Sequence, residues 1–317
     1  MSRVAVVGSG YMGGGIAQVA AIAGHEVVIT DATPEIARAN LDRINAEAEA
    51  FEAQGLFPEG AAAAVRHGIS AADDVESAVV GADLVEEAVP ERLELKRGTL
   101  ARISRANPDA VIGSNTSTIA LGQLAPPVEN PHRFLGVHFS NPAPFIPGVE
   151  IIPHDGTSEE AIATAEEFVG SVGKLPARVR DVTGFVLNRL QYALFHEATQ
   201  LVEEGVASVA DIDTIVRSTF GFRMPFFGPF AIADMAGLDV YAFCYASLQE
   251  GLPDRFPTPA MLSERIAAGQ LGTKSGGGFR AIDAARTDEL IAYRNRAYVL
   301  MARLLEELGP SPFDDPR

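Results

Sequence analysis

The 317-residue chain has 47% hydrophobic residues and a formal net charge of −17 at pH 7, which indicates an acidic, folded protein long enough for about two domains. A charge of this sign disfavours nucleic acids and anionic membrane surfaces as partners, because both are polyanions. It allows one anionic cofactor, because salt screens charges over roughly 8 Å and binding then depends on the charges close to the site.

A glycine-rich turn separates the first predicted strand from the first predicted helix. Val4 to Val7 is a short apolar run typical of a strand buried on both faces, and Ile16 to Ala23 continues as a helix of small residues. The six residues 8–13 between them read GSGYMG and match G-x-G-x-x-G. A second strand, Val27 to Thr30, then ends at Asp31, about 20 residues after the motif begins. Strand, turn, helix and acid together form the full dinucleotide fingerprint.

The fingerprint predicts a role for each of its residues. The first glycine permits the tight turn, the second lets a pyrophosphate approach the helix N-terminus, and the third allows close packing of helix and strand. Asp31 would accept hydrogen bonds from ribose hydroxyls and repel a 2′-phosphate, and no arginine follows it directly, so NAD is favoured over NADP. The predicted cofactor-binding residues of the motif are Gly8, Gly10, Tyr11, Met12 and Gly13.

Helices and strands keep alternating as far as residue 183. Residues 34–66 read as helical, Ala82 to Glu86 as a strand and Leu93 to Arg105 as a helix, and "DAVIGSNTS" and "RFLGVHFSNP" each hold a further strand. This order predicts the α/β class with a doubly wound, Rossmann-type sheet that binds ligands at the carboxyl ends of its strands. From Gly184 the apolar spacing is helical, which predicts an NAD-binding domain over 1–183 and a smaller all-helical domain over 184–317.

Polar residues follow two of the predicted strands. They are Ser117 in "SNTS" and His138, Asn141 and Glu150 in "GVHFSNPAPFIPGVEII". A carboxylate beside a histidine holds the imidazole in one tautomer and stabilises its charged form during proton transfer. We therefore expect the chemistry at these strand ends.

The sequence gives less information about localisation and redox chemistry. The strand pattern begins at Arg3, so we expect no secretory leader, and no apolar run reaches the roughly 18 residues of a membrane span. Cys244 is the single cysteine and has no metal-ligand spacing around it, so we expect a small buried apolar side chain. The chain is predicted to be cytoplasmic and to lack a metal site.

Six motifs in order make the whole chain similar to the L-3-hydroxyacyl-CoA dehydrogenase family, which includes the 3-hydroxybutyryl-CoA dehydrogenases. They are "GSGYMGGGIAQ", "SNTS", "HFSNP…VEII", "GFVLNR", "GPFAIADMAGLD" and "GTKSGGGF". The resemblance implies hydride transfer between NAD and a secondary alcohol carbon, with a histidine that takes the hydroxyl proton and a glutamate that orients it. It also implies a homodimer formed through the C-terminal helical domain.

The resemblance transfers roles onto matching positions. His138 and Glu150 match the histidine and glutamate, and Ser117 and Asn188 of "GFVLNR" match groups that hydrogen-bond the reacting oxygen. Glu91 and Lys96 of "VPERLELK" match residues near the nicotinamide ribose.

The substrate stays open because the sequence departs from acyl-CoA members. Those members carry several lysines in the helical segment after the second strand, where they meet CoA phosphates, and residues 34–68 here contain none. The "SNP…IP" run after His138 resembles that of a pyridine-carboxylate dehydrogenase. The loop "FGFRMPFFGPF" is also longer than in acyl-CoA members and resembles the loop of relatives that act on free hydroxy acids. Its Arg223 is then a candidate anchor for a substrate carboxylate.

Three functions remain at this point. The first is an NAD-dependent dehydrogenase of a small hydroxy or aldehyde carboxylate without CoA. The second is a 3-hydroxyacyl-CoA dehydrogenase whose CoA contacts come from Arg38, Arg43 and Arg66. The third is an inactive NAD-binding sensor or structural protein, against which the intact set of polar residues argues.

Overall fold

A computed structural model gives the structure of residues 2–313, which form strands, α-helices and short 3₁₀ turns. The strands are β1 (Arg3–Val7), β2 (Glu26–Thr30), β3 (Ile69–Ala71), β4 (Leu84–Glu87), β5 (Val111–Ser114), β6 (Phe134–Phe139), β7 (Gly148–Pro153) and β8 (Leu175–Arg178). The helices are α1 (Tyr11–Ile22), α2 (Pro34–Ala53), α3 (Ala61–Gly68), α4 (Val75–Val79), α5 (Leu93–Ala106), α6 (Leu121–Leu124), α7 (Glu159–Ser171), α8 (Leu187–Glu203), α9 (Val209–Ser218), α10 (Phe220–Arg223), α11 (Pro229–Ala236), α12 (Leu238–Gly251), α13 (Ala260–Ala267) and α14 (Thr287–Leu308). The 3₁₀ turns lie at Pro131–Arg133, Thr273–Ser275 and Ala284–Arg286.

The strands form a single sheet in the order β3-β2-β1-β4-β5-β6-β7-β8. Neighbouring strands are parallel except for β6 and β7, which run antiparallel. The reversal of strand order beside β1 is the switch point at which doubly wound sheets bind ligands. The predicted Rossmann-type sheet is confirmed.

The sheet is buried on both faces because its strands alternate between two apolar clusters. Val4 and Val6 of β1 point into a cluster with α1, α2, α3 and α7. Ala5 and Val7 point into a second cluster with α4, α5 and α6. Burying a valine side chain completely stabilises the fold by about 1.5–3 kcal/mol. This two-sided burial explains why β1 reads as a continuous apolar run rather than an alternating one.

Element boundaries differ from the sequence reading in a few places. The first helix begins at Tyr11, inside the glycine motif, and so brings its N-terminus next to Gly10. The helical stretch over 34–66 is divided into α2 and α3, because Gly55 and Gly60 both adopt positive φ between them. The fourth strand covers Leu84–Glu87 instead of Ala82 to Glu86.

The chain divides into two compact units, Met1–Phe195 and His196–Arg317. This division falls inside α8, and the domain boundary after residue 183 stays a prediction. Residues 314–317 of the predicted helical domain lie outside the described part of the chain.

The second unit is helical with a small core. Ala233, Leu238 and Leu262 form its buried apolar cluster, and Phe227, Ile232 and Ala297 are buried as well. Asp234, which is also buried, accepts the backbone N–H groups of Phe279 and Arg280, both at 2.9 Å, and so holds the "GGGFR" segment.

The prediction that Cys244 is buried is wrong. It lies on α12 and is exposed, because this helix contributes few residues to the small core of its unit.

Membrane-spanning potential is limited to one pair of helices. Among residues 2–313, no single helix is both long and apolar enough to cross a bilayer. The pair α11 and α12, which is bent by 100°, passes that test of length and composition only when taken together.

Candidate active site

His138 and Glu150 lie directly opposite each other on the antiparallel strands β6 and β7. The imidazole Nδ1 is 2.8 Å from Glu150 Oε2, and both residues are buried. Because a carboxylate only accepts hydrogen bonds, Nδ1 carries the proton in this pair. In the neutral imidazole, the lone pair then lies on the other ring nitrogen, Nε2.

The second oxygen of Glu150 is held by the start of α8. Oε1 accepts the backbone N–H groups of Val186 and Leu187, both at 2.9 Å. Burial by itself would raise the pKa of Glu150, but the hydrogen bonds from His138, Leu187 and Val186 outweigh it and lower that pKa. Glu150 is therefore an ionised carboxylate whose two oxygens both accept hydrogen bonds.

Ser117 and Asn188 meet on the other side of the imidazole. Ser117 Oγ is 3.1 Å from His138 Nε2, and Asn188 Nδ2 donates to the Ser117 carbonyl oxygen at 2.8 Å. The ring of Phe185 lies 6.0 Å from the imidazole, centroid to centroid. All four predicted catalytic residues are thus joined by hydrogen bonds within the first unit.

Glu91 organises the turn that carries Ser117. Its Oε1 accepts the backbone N–H groups of Ser117 and Thr118 at 2.9 and 2.8 Å, and the Thr116 hydroxyl at 2.7 Å. Burial acts to raise the pKa of Glu91, but these bonds and the nearby Lys96 charge prevail and lower it. A single carboxylate therefore sets the backbone from which the Ser117 side chain projects.

Lys96 lies behind Glu91 and is fully buried. Its Nζ donates to both oxygens of Glu87, at 2.9 and 3.2 Å, and lies 3.5 Å from Glu91 Oε2. Ser114 Oγ also donates to Glu87, at 2.6 Å. The predicted contact of Lys96 with the cofactor stays a prediction, and the structure adds its role as the counter-ion of two carboxylates.

The geometry of the glycine motif fits a dinucleotide. Gly8 has φ +99°, and a Cβ at this position would lie 2.7 Å from the Ala88 backbone. A Cβ at Gly10 would meet nothing within 4 Å, so open space adjoins the start of α1. The first turn of α1 has no side-chain cap and no acidic residue, while Tyr11 is largely exposed and Met12 half-buried. Free N–H groups and a positive helix terminus facing open space suit a pyrophosphate.

Asp31 lies at the carboxyl end of β2, next to this open space. Its Oδ2 accepts from Ser9 N and Ser9 Oγ at 2.8 and 2.9 Å, and from Asn40 Nδ2 at 3.4 Å. Its Oδ1 accepts from Ala32 N at 2.8 Å, which leaves lone-pair capacity for a ribose hydroxyl. The residues present therefore fit NAD.

The sequence did not predict several hydrogen-bond partners of the site residues. Ser9 and Asn40 bind Asp31, and Glu87 and Ser114 bind Lys96. Two successive acids in a buried strand were the available signal for Glu87, because a buried carboxylate needs a partner.

Arg223 is the remaining predicted site residue, and it belongs to the second unit. It is the last residue of α10, is exposed, and accepts the backbone N–H groups of Phe226 and Phe227 at its carbonyl oxygen. The contact of Arg223 with a substrate carboxylate stays a prediction. Among residues 2–313 there is no group of three or more His, Cys, Asp or Glu residues that could hold a metal ion.

This arrangement can move a proton at His138 Nε2 while Glu150 stabilises the charged ring. Two family models match the chain: 3-hydroxyacyl-CoA dehydrogenase, NAD binding domain, over residues 3–182, and 3-hydroxyacyl-CoA dehydrogenase, C-terminal domain, over residues 184–281. The chain belongs to the 3-hydroxyacyl-CoA dehydrogenase family. As a member it is an NAD-dependent dehydrogenase that acts on CH–OH groups.

Individual relatives of this dehydrogenase are named for different activities. A 5-formyl-3-hydroxy-2-methylpyridine 4-carboxylate 5-dehydrogenase from Mesorhizobium japonicum is 36% identical over 96% of this chain and 98% of its own length. A 3-hydroxybutyryl-CoA dehydrogenase from Bradyrhizobium diazoefficiens is 34% identical over 88% of this chain and 94% of its own length. The crystal structure of a 3-hydroxyacyl-CoA dehydrogenase from Archaeoglobus fulgidus matches with a TM-score of 0.79 at 30% identity, covering 98% of this chain and 99% of that one.

Proposed function

We propose that this dehydrogenase oxidises or reduces a small hydroxy or aldehyde carboxylate that does not carry CoA. Within the family, the alternative is an L-3-hydroxyacyl-CoA dehydrogenase, and relatives named for that activity are comparably similar in sequence. The proposal concerns the substrate alone.

The observation that carries it is the pairing of the arginines on α2 and α3. Arg38 pairs with Asp73 at 2.5 Å, Arg43 pairs with Glu47 at 2.7 Å, and Arg66 pairs with Glu49. These were the cations available to meet CoA phosphates, and each already has a carboxylate beside it. A phosphate would have to displace that carboxylate and remain near its charge, which costs much of the attraction.

The similarity to the pyridine-carboxylate dehydrogenase supports the same substrate class. That relative matches 96% of this chain, and its name describes a small aromatic acid bearing a formyl group. A hydrated aldehyde presents the same CH–OH group as an alcohol, so the proton chemistry is common to both.

In the proposed mechanism, His138 Nε2 takes the hydroxyl proton as the carbon loses its hydride. Bound NAD supplies the hydride-accepting chemistry. Glu150 stabilises the resulting imidazolium through Nδ1, and the Ser117 hydroxyl and the Asn188 amide orient the reacting oxygen. In the reverse direction the imidazolium returns the proton to the developing alkoxide.

The proposed cofactor contacts follow from the fit described above. The first N–H groups of α1, over Gly10 to Gly13, would bind the pyrophosphate, and Asp31 the adenosine ribose. Glu91 would lie at the nicotinamide ribose, with Lys96 fixing its carboxylate. In the second unit, Arg223 is the proposed anchor for the substrate carboxylate.

The test is NADH oxidation, followed by absorbance, with acetoacetyl-CoA and with a panel of small keto and aldehyde carboxylates. We expect turnover with a member of the panel and none with acetoacetyl-CoA, while fluorescence confirms that NADH binds. Fast turnover of acetoacetyl-CoA at low concentration would establish the alternative.

Arg223 can be tested on the same substrate by comparison with a second arginine. Arg280 also belongs to the second unit and lines a cavity of about 620 Å³. Arg223→Gln should raise KM for the acid while leaving the NADH dissociation constant unchanged, and Arg280→Gln serves as the matched comparison. A rise in KM with Arg280→Gln alone would transfer the role to Arg280.

We also propose that the chain forms a homodimer. Large apolar side chains are exposed on helices of the second unit, among them Phe243 of α12 at 73% and Leu308 of α14 at 70%. Exposed apolar side chains grouped on the same helices favour burial against a partner. Light scattering should report about twice the 33.5 kDa chain mass, and a single-chain mass would contradict the dimer. The cytoplasmic localisation expected from the sequence stays a prediction.

A further inference from the structure

Arg43 reaches from α2 to the backbone of the glycine-rich turn. Its Nη2 donates to the carbonyl oxygens of Ser9 and Gly10, at 3.0 and 3.1 Å. These two carbonyl groups immediately precede the first turn of α1. One guanidinium group thus fixes two successive peptide units at the site where the pyrophosphate would bind.

Two side chains of α2 hold this guanidinium in place. Nη1 donates to Glu47 Oε1 at 2.7 Å, and Nε donates to Asn40 Oδ1 at 3.4 Å. Asn40 in turn donates to Ser9 Oγ at 3.0 Å and to Asp31 Oδ2 at 3.4 Å. The network therefore connects both parts of the dinucleotide site, the turn and the ribose-binding carboxylate.

Gly14 makes room for the guanidinium group. A Cβ at this position would lie 2.8 Å from Arg43 Nη2 and 3.1 Å from Ile44 Cγ1. Gly14 lies outside the G-x-G-x-x-G spacing, so the fingerprint alone gives no reason for it. The close approach of Arg43 supplies that reason.

Neighbouring arginines provide a contrast. Arg38 lies on the same helix and pairs with Asp73, with 61% and 70% of their side chains exposed. The side chain of Arg43 is 32% exposed, and its donors are shared between a carboxylate, an amide and two peptide carbonyls. An exposed ion pair contributes little, whereas a planar fork on backbone acceptors fixes geometry.

We propose that Arg43 is a positioning residue for NAD. By binding the carbonyl oxygens of Ser9 and Gly10, it holds the turn so that the N–H groups at the start of α1 face the pyrophosphate. A turn that is already ordered loses less conformational entropy when the cofactor binds.

The experiment measures NADH binding directly, by fluorescence titration of the full-length protein at 25 °C. Arg43→Gln should raise the NADH dissociation constant about tenfold, equivalent to ~1.4 kcal/mol. Arg38→Gln, the matched control, should leave it unchanged. Arg43→Lys should recover only part of the loss, because an ammonium cannot present a planar fork to both carbonyl groups and to Glu47.

A double-mutant cycle separates positioning from a general loss of stability. Gly14→Ala should weaken NADH binding by displacing the guanidinium, and should add little once Arg43 is already glutamine. Thermal unfolding without cofactor checks that each variant is folded. If Arg43→Gln does not fold, Glu47→Gln replaces it, and should raise the dissociation constant about threefold by loosening the guanidinium.

Four outcomes would overturn the proposal. They are an unchanged dissociation constant in folded Arg43→Gln (or in Glu47→Gln, where it replaces it), an equal loss in Arg38→Gln, full recovery in Arg43→Lys, and additive effects in the cycle.

Discussion

Replacing Glu150 by glutamine alters a side chain that accepts hydrogen bonds at both ends. Oε2 accepts from His138 Nδ1 and Oε1 accepts from the N–H groups of Val186 and Leu187. Glutamine has one carbonyl oxygen and one NH₂ group, so one end must present a donor to a donor. Turning the NH₂ group towards the two backbone N–H groups would leave these donors unpaired, at about 1–3 kcal/mol each. The NH₂ group is therefore expected to face His138.

That orientation moves the proton on the imidazole ring. Nδ1 must accept from the amide, so the proton moves to Nε2, the nitrogen that lies 3.1 Å from Ser117 Oγ. A protonated Nε2 cannot take a proton from a substrate hydroxyl. Loss of general base catalysis is worth ~10²–10⁴-fold, or about 2.7–5.4 kcal/mol on the barrier. We expect Glu150→Gln to lower kcat by at least about 10²-fold.

The assay is steady-state NADH absorbance with the substrate found in the panel, at several pH values, together with NADH titration by fluorescence. Glu94→Gln is the control, because Glu94 is an exposed residue of α5. Because folding lowers the pKa of Glu150, its contribution to stability is present above pH 4.5 and is lost as pH falls through the folded value. A Gln variant with normal kcat and an unchanged pH profile would refute the tautomer reasoning.

Three further predictions concern single side chains. Asp31→Ala should lower the preference for NADH over NADPH about tenfold or more, measured as the ratio of kcat/KM values, and an unchanged ratio would reject the role of Asp31. His138→Gln should lower kcat by at least about 10²-fold without weakening NADH binding, and near-normal turnover would remove His138 from the mechanism. Burial, with repulsion from Glu87, raises the pKa of the unpartnered Glu86 well above 4.5, so stability falls as pH rises between 4.5 and the raised value. The unfolding free energy of Glu86→Gln, measured by urea denaturation, should therefore rise relative to that of the natural chain by about 1.4 kcal/mol for each pH unit in that range. A difference between the two proteins that stays constant with pH would contradict this.

The cofactor motif was predictable because its requirements are local. A side chain at Gly8 would meet the Ala88 backbone and one at Gly13 the Gly8 carbonyl oxygen, whereas at Gly10 it would only occupy the open space left for a cofactor. The pairing of His138 with Glu150 was predicted from the family resemblance, and the structure adds its cause, since two antiparallel strands place these residues opposite each other.

Contacts that depend on helix rotation were not predictable in this way. Arg43 was read as a possible ligand for CoA, but the direction in which α2 presents it brings it against the glycine-rich turn. Spacing along a helix shows which residues share a face and does not show what that face meets. Likewise, Lys96 was placed near the cofactor, and only the packing of α5 on β4 reveals Glu87 as its partner.

The confinement of the His138 hydrogen-bonded set to one compact unit has an evolutionary consequence. Ser117, Glu150 and Asn188 all bond within residues 2–195, so mutations further along the chain need not disturb these bonds. After gene duplication, drift in the later helices would leave the inherited proton-transfer geometry available for a new compound. Such a division would let a lineage change what it metabolises while keeping its chemistry, and relatives that are 34–36% identical to this chain are named for different compounds.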